Sequence, residues 1–180
     1  MLKRTEYKKA EYAKNSFYSW LFILAQAFLA LAVVFFFAFW PVRVRGNSMT
    51  PTLIADEVLL IDRFTLYLWS PQRGDMVIFR TPEFGELIKR IIALPKETVA
   101  IFNGRVYING QMLDESAYSP TAAEDFPPLE VPEGAVFVLG DSRSLSQDSR
   151  DKRVGCIPFS ALDGRVRIRV APLERIALFL

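Results

Sequence analysis

The feature that most constrains this chain is a long apolar stretch near its N-terminus. From Trp20 to Trp40 there is no charged residue, and Gln26 is the only strongly polar side chain. These 21 residues would span about 30 Å as an α-helix, at about 1.5 Å per residue, which is enough to cross the hydrocarbon core of a bilayer. Pro41 cannot continue a helix, and a tryptophan at each end suits the two membrane interfaces. We interpret residues 20–40 as a transmembrane anchor.

Two other interpretations of this stretch are less favourable. A cleaved signal peptide would have a shorter apolar core, followed by a small-x-small cleavage site that is missing here. A buried core helix would need a domain large enough to cover it on all faces. In the preceding residues 1–19, basic side chains outnumber acidic ones: Lys3, Arg4, Lys8, Lys9 and Lys14 against Glu6 and Glu11. The positive-inside rule therefore places 1–19 in the cytoplasm and 41–180 outside the plasma (inner) membrane.

The composition excludes several kinds of function. A net charge of +2 over 180 residues gives no reason to expect a nucleic-acid partner. The single cysteine, Cys156, cannot form an intrachain disulfide. The chain has no histidine, which excludes Ser-His-Asp and Cys-His mechanisms and histidine-ligated metal sites, and we expect neither metal nor cofactor. A serine nucleophile would need another base, and lysine is the obvious candidate because burial can lower its pKa.

After residue 41 the pattern changes to short apolar runs separated by turn residues, and no further helix of note is expected. Asn103-Gly104 and Asn109-Gly110 each separate two strand-like runs, which is a strong signal for hairpins with type I′ turns. The predicted strands are 58–61, 76–79, 87–94, 98–102, 105–108, 135–139 and 165–170. Residues 41–180 are therefore predicted to form a mostly β, antiparallel extracytoplasmic domain, in which 97–135 is a hairpin or cap subregion.

Two segments of this domain carry more specific expectations. Residues 118–132 contain four prolines, at 120, 127, 128 and 132, and are predicted to be an irregular loop. Residues 165–170 alternate arginine with an aliphatic residue, and this period of two predicts a half-buried strand.

A candidate nucleophile, Ser48, lies in the turn-rich segment shortly after the anchor. Gly46, Asn47 and Pro51 each favour a bend in the backbone, and they surround Ser48. A serine on a tight turn directs its hydroxyl outward, where it can attack a substrate. The local chemistry alone favours an ordinary loop serine, because most serines next to Gly, Asn and Pro are simply loop residues.

Among the three lysines after the anchor, Lys89 is the candidate base. Lys96 follows Pro95 in a turn and Lys152 lies in a polar loop, so both are expected to be solvated. Lys89 lies inside a predicted strand, where a period of two places it on one face with Leu87, Ile91 and Ala93, while Arg90 points to the other face. An ammonium group on an apolar face loses charge readily, so its pKa is expected to fall. The alternative is a strand lysine whose flexible stem carries the amine to water.

A third polar segment directly follows the predicted strand 135–139. It contains two Asp-x-Arg units seven residues apart, and four serines, within residues 140–150. Aspartate and arginine can form bidentate pairs that stiffen a loop, and serine hydroxyls could hold a neutral lysine amine. A solvated surface loop with incidental charge pairs would have the same composition.

Together these features resemble bacterial type I signal peptidases, membrane-anchored serine endopeptidases with a serine–lysine dyad. Four segments carry the resemblance, in the same order as in that family and after one anchor. They are Gly46-Asn47-Ser48-Met49-Thr50-Pro51-Thr52-Leu53, Arg73-Gly74-Asp75-Met76-Val77, Ile88-Lys89-Arg90-Ile91-Ile92-Ala93-Leu94-Pro95, and Gly140 to Arg150. The resemblance extends to about residue 158 and implies a β-barrel-like catalytic domain of the signal peptidase/LexA-like type.

The resemblance also implies roles for individual residues. Ser48 would be the nucleophile, Lys89 the general base and then the acid for the leaving amine, and Ser146 the serine that orients the lysine amine. The Ser48 backbone N–H would donate to the oxyanion. Four residues would support the site structurally: Asp141, Arg143, Asp148 and Arg150. The implied substrates are signal peptides of exported preproteins, cleaved after small residues of the Ala-x-Ala type, and the implied partners are the lipid bilayer and the secretion translocon.

Three positions depart from the family pattern. Gly46 occupies the place where some members carry a serine that acts as a second oxyanion donor, so that donor stays unassigned. Lys96 replaces the glycine usual after Leu-Pro, and Ser142 replaces an asparagine. None of these departures removes a member of the dyad.

Chain length places the candidate nucleophile close to the membrane. Ser48 follows Trp40 by eight residues, which span at most about 27 Å when fully extended. Leu66-Tyr67-Leu68-Trp69 is either an apolar patch that enters the interface or a core strand, and the sequence favours neither.

Three alternative functions stay open at this point. The first is a serine–lysine peptidase of the same fold with a narrower substrate, such as a pilin- or conjugation-related maturase. The second is a non-catalytic anchored β module that binds an exported partner. The third is a relative of the self-cleaving repressors, which the anchor and the lack of a DNA-binding region disfavour.

Overall fold

The computed structural model describes residues 2–64, 70–118 and 122–179, and its helical unit ends where its β unit begins. Helix α1 extends over Leu2–Ala38, and the second unit starts at Phe39. Within α1, the 22 residues Phe17–Ala38 are long and apolar enough to cross a membrane, and none of them is buried by the rest of the chain.

The helix ends two residues before the end of the predicted anchor at Trp40. Phe39 and Trp40 instead begin strand β1, Phe39–Arg43, where Phe39 pairs with Asp62 and Trp40 pairs with Ile61. Pro41 disfavours helical backbone at the residue before it. It is tolerated in β1 because this strand lies at the end of its sheet.

The β unit consists of two antiparallel sheets, which confirms the predicted mostly β class. Beyond Ala38 the only helical segments in the described residues are three-residue 3₁₀ turns, at Arg143–Leu145, Phe159–Ala161 and Leu173–Arg175. The remaining strands are β2 Val58–Asp62, β3 Met76–Thr81, β4 Gly85–Ala93, β5 Thr98–Phe102, β6 Arg105–Ile108, β7 Gln111–Met112, β8 Phe126–Glu130, β9 Ala135–Leu139, β10 Ile157–Pro158, β11 Leu162–Ala171 and β12 Ala177–Leu178.

The larger sheet contains Lys89, the candidate base, on β4; Ser48 lies in the turn between β1 and β2. Its strand order is β1-β2-β11-β3-β4-β9-β10, with β12 paired to β11. The smaller sheet has the order β7-β6-β5-β8 and lies within the predicted subregion 97–135. Asn103 and Asn109 have positive φ angles, as do the glycines that follow them, which confirms both hairpin turns.

The interpretation of 118–132 as an irregular loop was wrong for its second half. Strand β8 lies there and pairs with β5 through Thr98↔Glu130 and Val99↔Leu129. Pro127 and Pro128 lack the N–H groups that a central strand needs, but β8 is at the edge of the four-stranded sheet and has a neighbour on one side only.

Strict alternation also failed on two strands of the larger sheet. On β11, Arg165, Val166 and Arg169 are all buried, so burial does not alternate along this strand. On β4, Ala93 packs with its neighbour Ile92 in one apolar cluster, whereas Ile91 packs in another. A register shift between Ile91 and Ala93 interrupts the period of two, and β11 has shifts of the same kind.

The C-terminal residues pack on the sheet. Strand β12 pairs with β11, and Phe179 donates its backbone N–H to the Arg167 carbonyl at 2.7 Å. The Phe179 ring contacts an apolar cluster that contains Met49 and Leu53. The proposed interfacial patch, Leu66 to Trp69, lies outside the described residues.

Candidate active site

The turn that carries Ser48 is held by the apolar residues beside it. Met49 and Leu53 are 2% and 0% exposed and belong to one core cluster. The Leu53 N–H donates to the Met49 carbonyl at 2.8 Å, and the Thr50 N–H donates to the Asn47 carbonyl at 3.2 Å. Ser48 itself is only partly buried. The turn therefore presents the serine at the surface from a fixed backbone.

Lys89 meets Ser48 from the middle of β4. Its Nζ atom lies 2.6 Å from Ser48 Oγ, within hydrogen-bonding distance, although 41 positions separate the two residues. Lys89 is 1% exposed, so its amine does not reach water along a flexible stem. The structure thus brings the predicted nucleophile and the predicted base into direct contact.

Burial changes the acidity of this amine. It lowers the pKa of Lys89 from 10.5 to about 8, against the smaller opposing influence of the Asp148 and Asp141 carboxylates. The ion pairs of the described residues include none with Lys89. About one tenth of the amine is therefore neutral at pH 7, and this neutral form can accept a proton from Ser48 Oγ.

Residues 46–53, the turn that carries Ser48, are called the nucleophile turn below. The 140–150 segment crosses this turn at Gly140. A Cβ atom at this position would lie 2.5 Å from the Ser48 carbonyl oxygen and 2.2 Å from Ser146 Oγ. Only glycine permits this approach. The Ser142 N–H also donates to the Ser48 carbonyl at 3.0 Å. These contacts hold the Ser48 backbone against the 140–150 segment.

Ser146 does not occupy the hydrogen-bonded position that we expected. Its Oγ atom is buried next to Gly140 and has no hydrogen-bond partner among the residues that the structure describes. The hydroxyl is therefore close to the site but does not contact the Lys89 amine in this arrangement.

One of the two Asp-x-Arg units forms the expected local pair. Asp148 accepts hydrogen bonds from Arg150 Nε at 2.8 Å and from Arg150 Nη2 at 2.9 Å. Asp148 also accepts from the Gly140 N–H, and Arg150 donates to the Arg143 carbonyl at 2.6 Å. This pair closes the loop between Gly140 and Arg150 on itself.

The other unit is bound to partners that the sequence analysis did not identify. Asp141 receives a bidentate pair from Arg90, at 2.8 Å from Nε and 2.7 Å from Nη2, and Arg143 pairs with Glu115. Arg90 also donates to the Gly74 carbonyl and to Thr52 Oγ1. The pairing of Arg90 with a carboxylate could have been predicted. Arg90 lies on the opposite strand face from Lys89, and a buried guanidinium needs a carboxylate partner. Glu115 carried no such signal.

A cleft borders the serine and the lysine. It is lined by two segments, 42–46 and 86–89, together with Ser48 and Met49. Strand β9 pairs with β4 only from Arg90 to Ala93, so the described strands leave one side of β4 between Gly85 and Lys89 unpaired. An extended peptide could add to this edge.

No group of three potential metal ligands occurs in the described part of the chain.

Comparison with known proteins gives consistent matches. The sequence model of the family "Signal peptidase, peptidase S26" matches residues 17–171. A probable signal peptidase I-2 from Synechocystis sp. is 36% identical over 142 residues, which is 75% of this chain and 64% of that relative. The signal peptidase I of Bacillus licheniformis is 36% identical over 155 residues, which is 80% of this chain and 83% of the relative.

A crystal structure of a signal peptidase I from Enterococcus faecalis V583 aligns with a TM-score of 0.46 and 35% identity, covering 54% of this chain and 97% of that chain.

Proposed function

The chain belongs to the signal peptidase family, peptidase S26, and on this premise we propose that it removes signal peptides from exported preproteins with a Ser48/Lys89 dyad. The observation that carries the proposal is the 2.6 Å contact between Ser48 Oγ and a Lys89 amine that is 1% exposed. In this chain, which lacks histidine, that contact supplies a nucleophile and a base of suitable pKa in one place.

The reaction begins with neutral Lys89. Its amine takes the proton of Ser48 Oγ as this oxygen attacks the scissile carbonyl, which forms a tetrahedral intermediate. The resulting ammonium then gives the proton to the leaving amine, the peptide bond breaks, and an acyl-serine remains. A water molecule gives a proton to the same amine as its oxygen attacks the acyl group. The ester bond to Ser48 Oγ then breaks, Lys89 returns the proton to Oγ, and the signal peptide leaves with a new carboxyl group, which restores Ser48 and neutral Lys89.

The developing oxyanion needs a donor, and we assign this role to the Ser48 backbone N–H. This N–H donates to no acceptor in the described part of the chain, while the carbonyl of the same residue is held by Ser142. A free, rigidly held N–H is the kind of group that stabilises charge in the transition state.

The cleft accounts for small residues in the substrate. We place the substrate as an extended strand against the unpaired edge of β4, between 42–46 and 86–89. The apolar part of the cleft lining is formed by Val42, Val44, Leu87 and Ile88, next to the charged residues Arg43, Arg45 and Glu86. The cleft has a volume of only about 40 Å³, so there is little space beside Ser48. This fits cleavage after small residues of the Ala-x-Ala type.

The other residues predicted from the sequence support the site in this proposal. We assign to Ser146, whose buried Oγ has no hydrogen-bond partner among the described residues, the role of orienting the Lys89 amine. Asp148 with Arg150, Asp141, and Arg143 hold the 140–150 segment against the nucleophile turn. None of these four contacts the reacting atoms.

The apolar helix anchors this activity in a membrane. We assign residues 1–19 to the cytoplasm and the β unit to the outer face of the plasma membrane, because the basic residues precede the helix. The lipid bilayer and the secretion translocon are the partners that fit a substrate whose own apolar segment is in the membrane.

The test is cleavage of a purified preprotein by the full chain in detergent micelles. Wild-type protein should release the signal peptide after an Ala-x-Ala site and should fail when tryptophan replaces the last alanine. Ser48→Ala should abolish cleavage, and Lys89→Ala should lower its rate by about 10²–10⁴-fold. Lys96→Ala, which changes an exposed lysine, is the matched control. Near-normal cleavage by Lys89→Ala would exclude the dyad.

A further inference from the structure

An arginine near the C-terminal end of the chain also donates a hydrogen bond to the nucleophile turn. Arg169, on β11, donates from Nη1 to the Thr52 carbonyl at 2.7 Å, although 117 positions separate them. Thr52 lies four residues after Ser48, in the same turn. The Arg169 side chain is buried, with 9% exposure.

A buried carboxylate completes this contact. Glu57 is 2% exposed, and its Oε2 atom accepts from Arg169 Nη1 at 3.2 Å and from the Ile54 N–H at 3.0 Å. Its Oε1 atom lies 2.8 Å from Arg175 Nε. One carboxylate thus joins the end of the nucleophile turn to two guanidinium groups from the C-terminal part of the chain.

The geometry requires arginine at position 169. Its Nε atom donates to the Arg175 carbonyl, while Nη1 serves Thr52 and Glu57. The Phe179 ring centroid is 5.7 Å from the guanidinium carbon. A lysine has a single nitrogen and cannot donate in these separate directions from a fixed plane.

These contacts bear on the reaction because the dyad depends on short distances. A displacement of about 1 Å in a reacting group can cost about 10²-fold in rate, and Ser48 Oγ must stay within hydrogen-bonding distance of Lys89 Nζ. Gly140 and Ser142 fix the Ser48 backbone on one side. Arg169 and Glu57 hold the end of the turn, through the Thr52 carbonyl and the Ile54 N–H.

We infer that Arg169, through the Thr52 carbonyl and Glu57, is a positioning residue for Ser48. The inference rests on the proposed function, since it assigns a residue to the same dyad. Arg169 does not touch the reacting atoms, so it acts only through the backbone of the turn.

Arg167 provides a matched control on the same strand. It also forms an ion pair with a buried carboxylate, Asp62, at 3.3 Å. Asp62 is the last residue of β2, whereas Glu57 immediately precedes the first. Loss of the Arg167 pair therefore removes a comparable contact at the opposite end of β2, away from the nucleophile turn.

The experiment is active-site titration of the full chain in detergent micelles with acetyl-Ala-Ala-Ala nitrophenyl ester. The amplitude of the nitrophenol burst counts competent serines, and its rate constant reports the acylation of each one. Arg169→Gln should slow acylation per titrated site by about 10–100-fold with KM unchanged. Arg169→Lys and Glu57→Gln should fall between this variant and wild type, and Arg167→Gln should stay within about two-fold of wild type.

A purely structural role gives a different result. In that case Arg169→Gln and Arg169→Lys would reduce the burst amplitude and the melting temperature, but each remaining site would acylate at the wild-type rate, and the inference would be wrong. Any folded fraction is enough for this measurement. A wild-type protein without a burst, or a burst retained by Ser48→Ala, would instead contradict the proposed function.

Discussion

Lys89 and Arg90 are consecutive residues of β4, and both side chains are buried, with 1% and 8% exposure. They point to opposite faces and meet different partners. Lys89 contacts a neutral hydroxyl, Ser48 Oγ, whereas Arg90 forms a bidentate pair with the Asp141 carboxylate.

The difference follows from what each group can do when it is buried. A guanidinium keeps its proton throughout the accessible pH range, so burial requires an opposite charge and filled hydrogen bonds. An amine can lose its proton, and burial without an adjacent carboxylate favours that loss. The adjacent positions thus give one structural cation and one candidate base.

The largest expected effect comes from breaking the Arg90 pair. Asp141→Asn leaves the guanidinium buried without its counter-ion, and we expect a loss of about 3–5 kcal/mol in the free energy of unfolding. The double variant Arg90→Met, Asp141→Leu should lose less, because it removes both charges. Urea unfolding of the full chain in detergent measures both values. A cost below about 1 kcal/mol for Asp141→Asn would show that this pair does not hold the fold.

A smaller effect, dependent on pH, is expected at Lys89. Its pKa is about 8 in the folded protein and 10.5 in the unfolded reference, so below pH 8 folding carries the full cost of a buried charge. As the pH rises from 8 to 10.5 the folded state loses its proton first, and stability increases. Lys89→Met removes this dependence.

The measurement is the stability of Lys89→Met relative to wild type at several pH values. The charge-dependent part of its advantage should be about 3 kcal/mol below pH 8 and should disappear towards pH 10.5. A difference that stays constant over this range would contradict a lowered pKa.

The smallest effect is expected at Lys96, an exposed cation paired with exposed Glu133 at 2.9 Å. Its φ angle is +67°, in the region that glycine adopts without strain. Lys96→Gly should therefore be more stable than Lys96→Ala by about 1 kcal/mol, and both should cleave preprotein at the wild-type rate. Thermal unfolding compares the two variants directly. Equal stability would show that the turn carries no strain at this position.

The sequence predicted those parts of the fold that local patterns determine. Asn-Gly pairs located both hairpins, and the period of two separated Lys89 from Arg90. The prediction failed where tertiary pairing overrides local preference. Pro127 and Pro128 lie in β8 because an edge strand needs few N–H donors, and a register shift after Ile91 reverses the face of Ala93.

The partners of the charged residues were the least accessible from sequence. The Asp141 carboxylate meets Arg90, 51 positions away, and Glu57 meets Arg169, 112 positions away. No spacing rule connects such pairs, because the order of strands in the sheet decides which residues meet. Burial of Arg165 and Arg169 follows from the same long-range pairing.

The central claim is that Ser48 is activated by a neutral Lys89. The most direct test is the acylation rate constant of Ser48 as a function of pH, measured by the nitrophenyl ester burst. The rate should rise through a single ionisation with a pKa near 8, reach a plateau above it, and be lost in Lys89→Met. A midpoint near 10.5, or a pH-independent rate that survives in Lys89→Met, would contradict the claim.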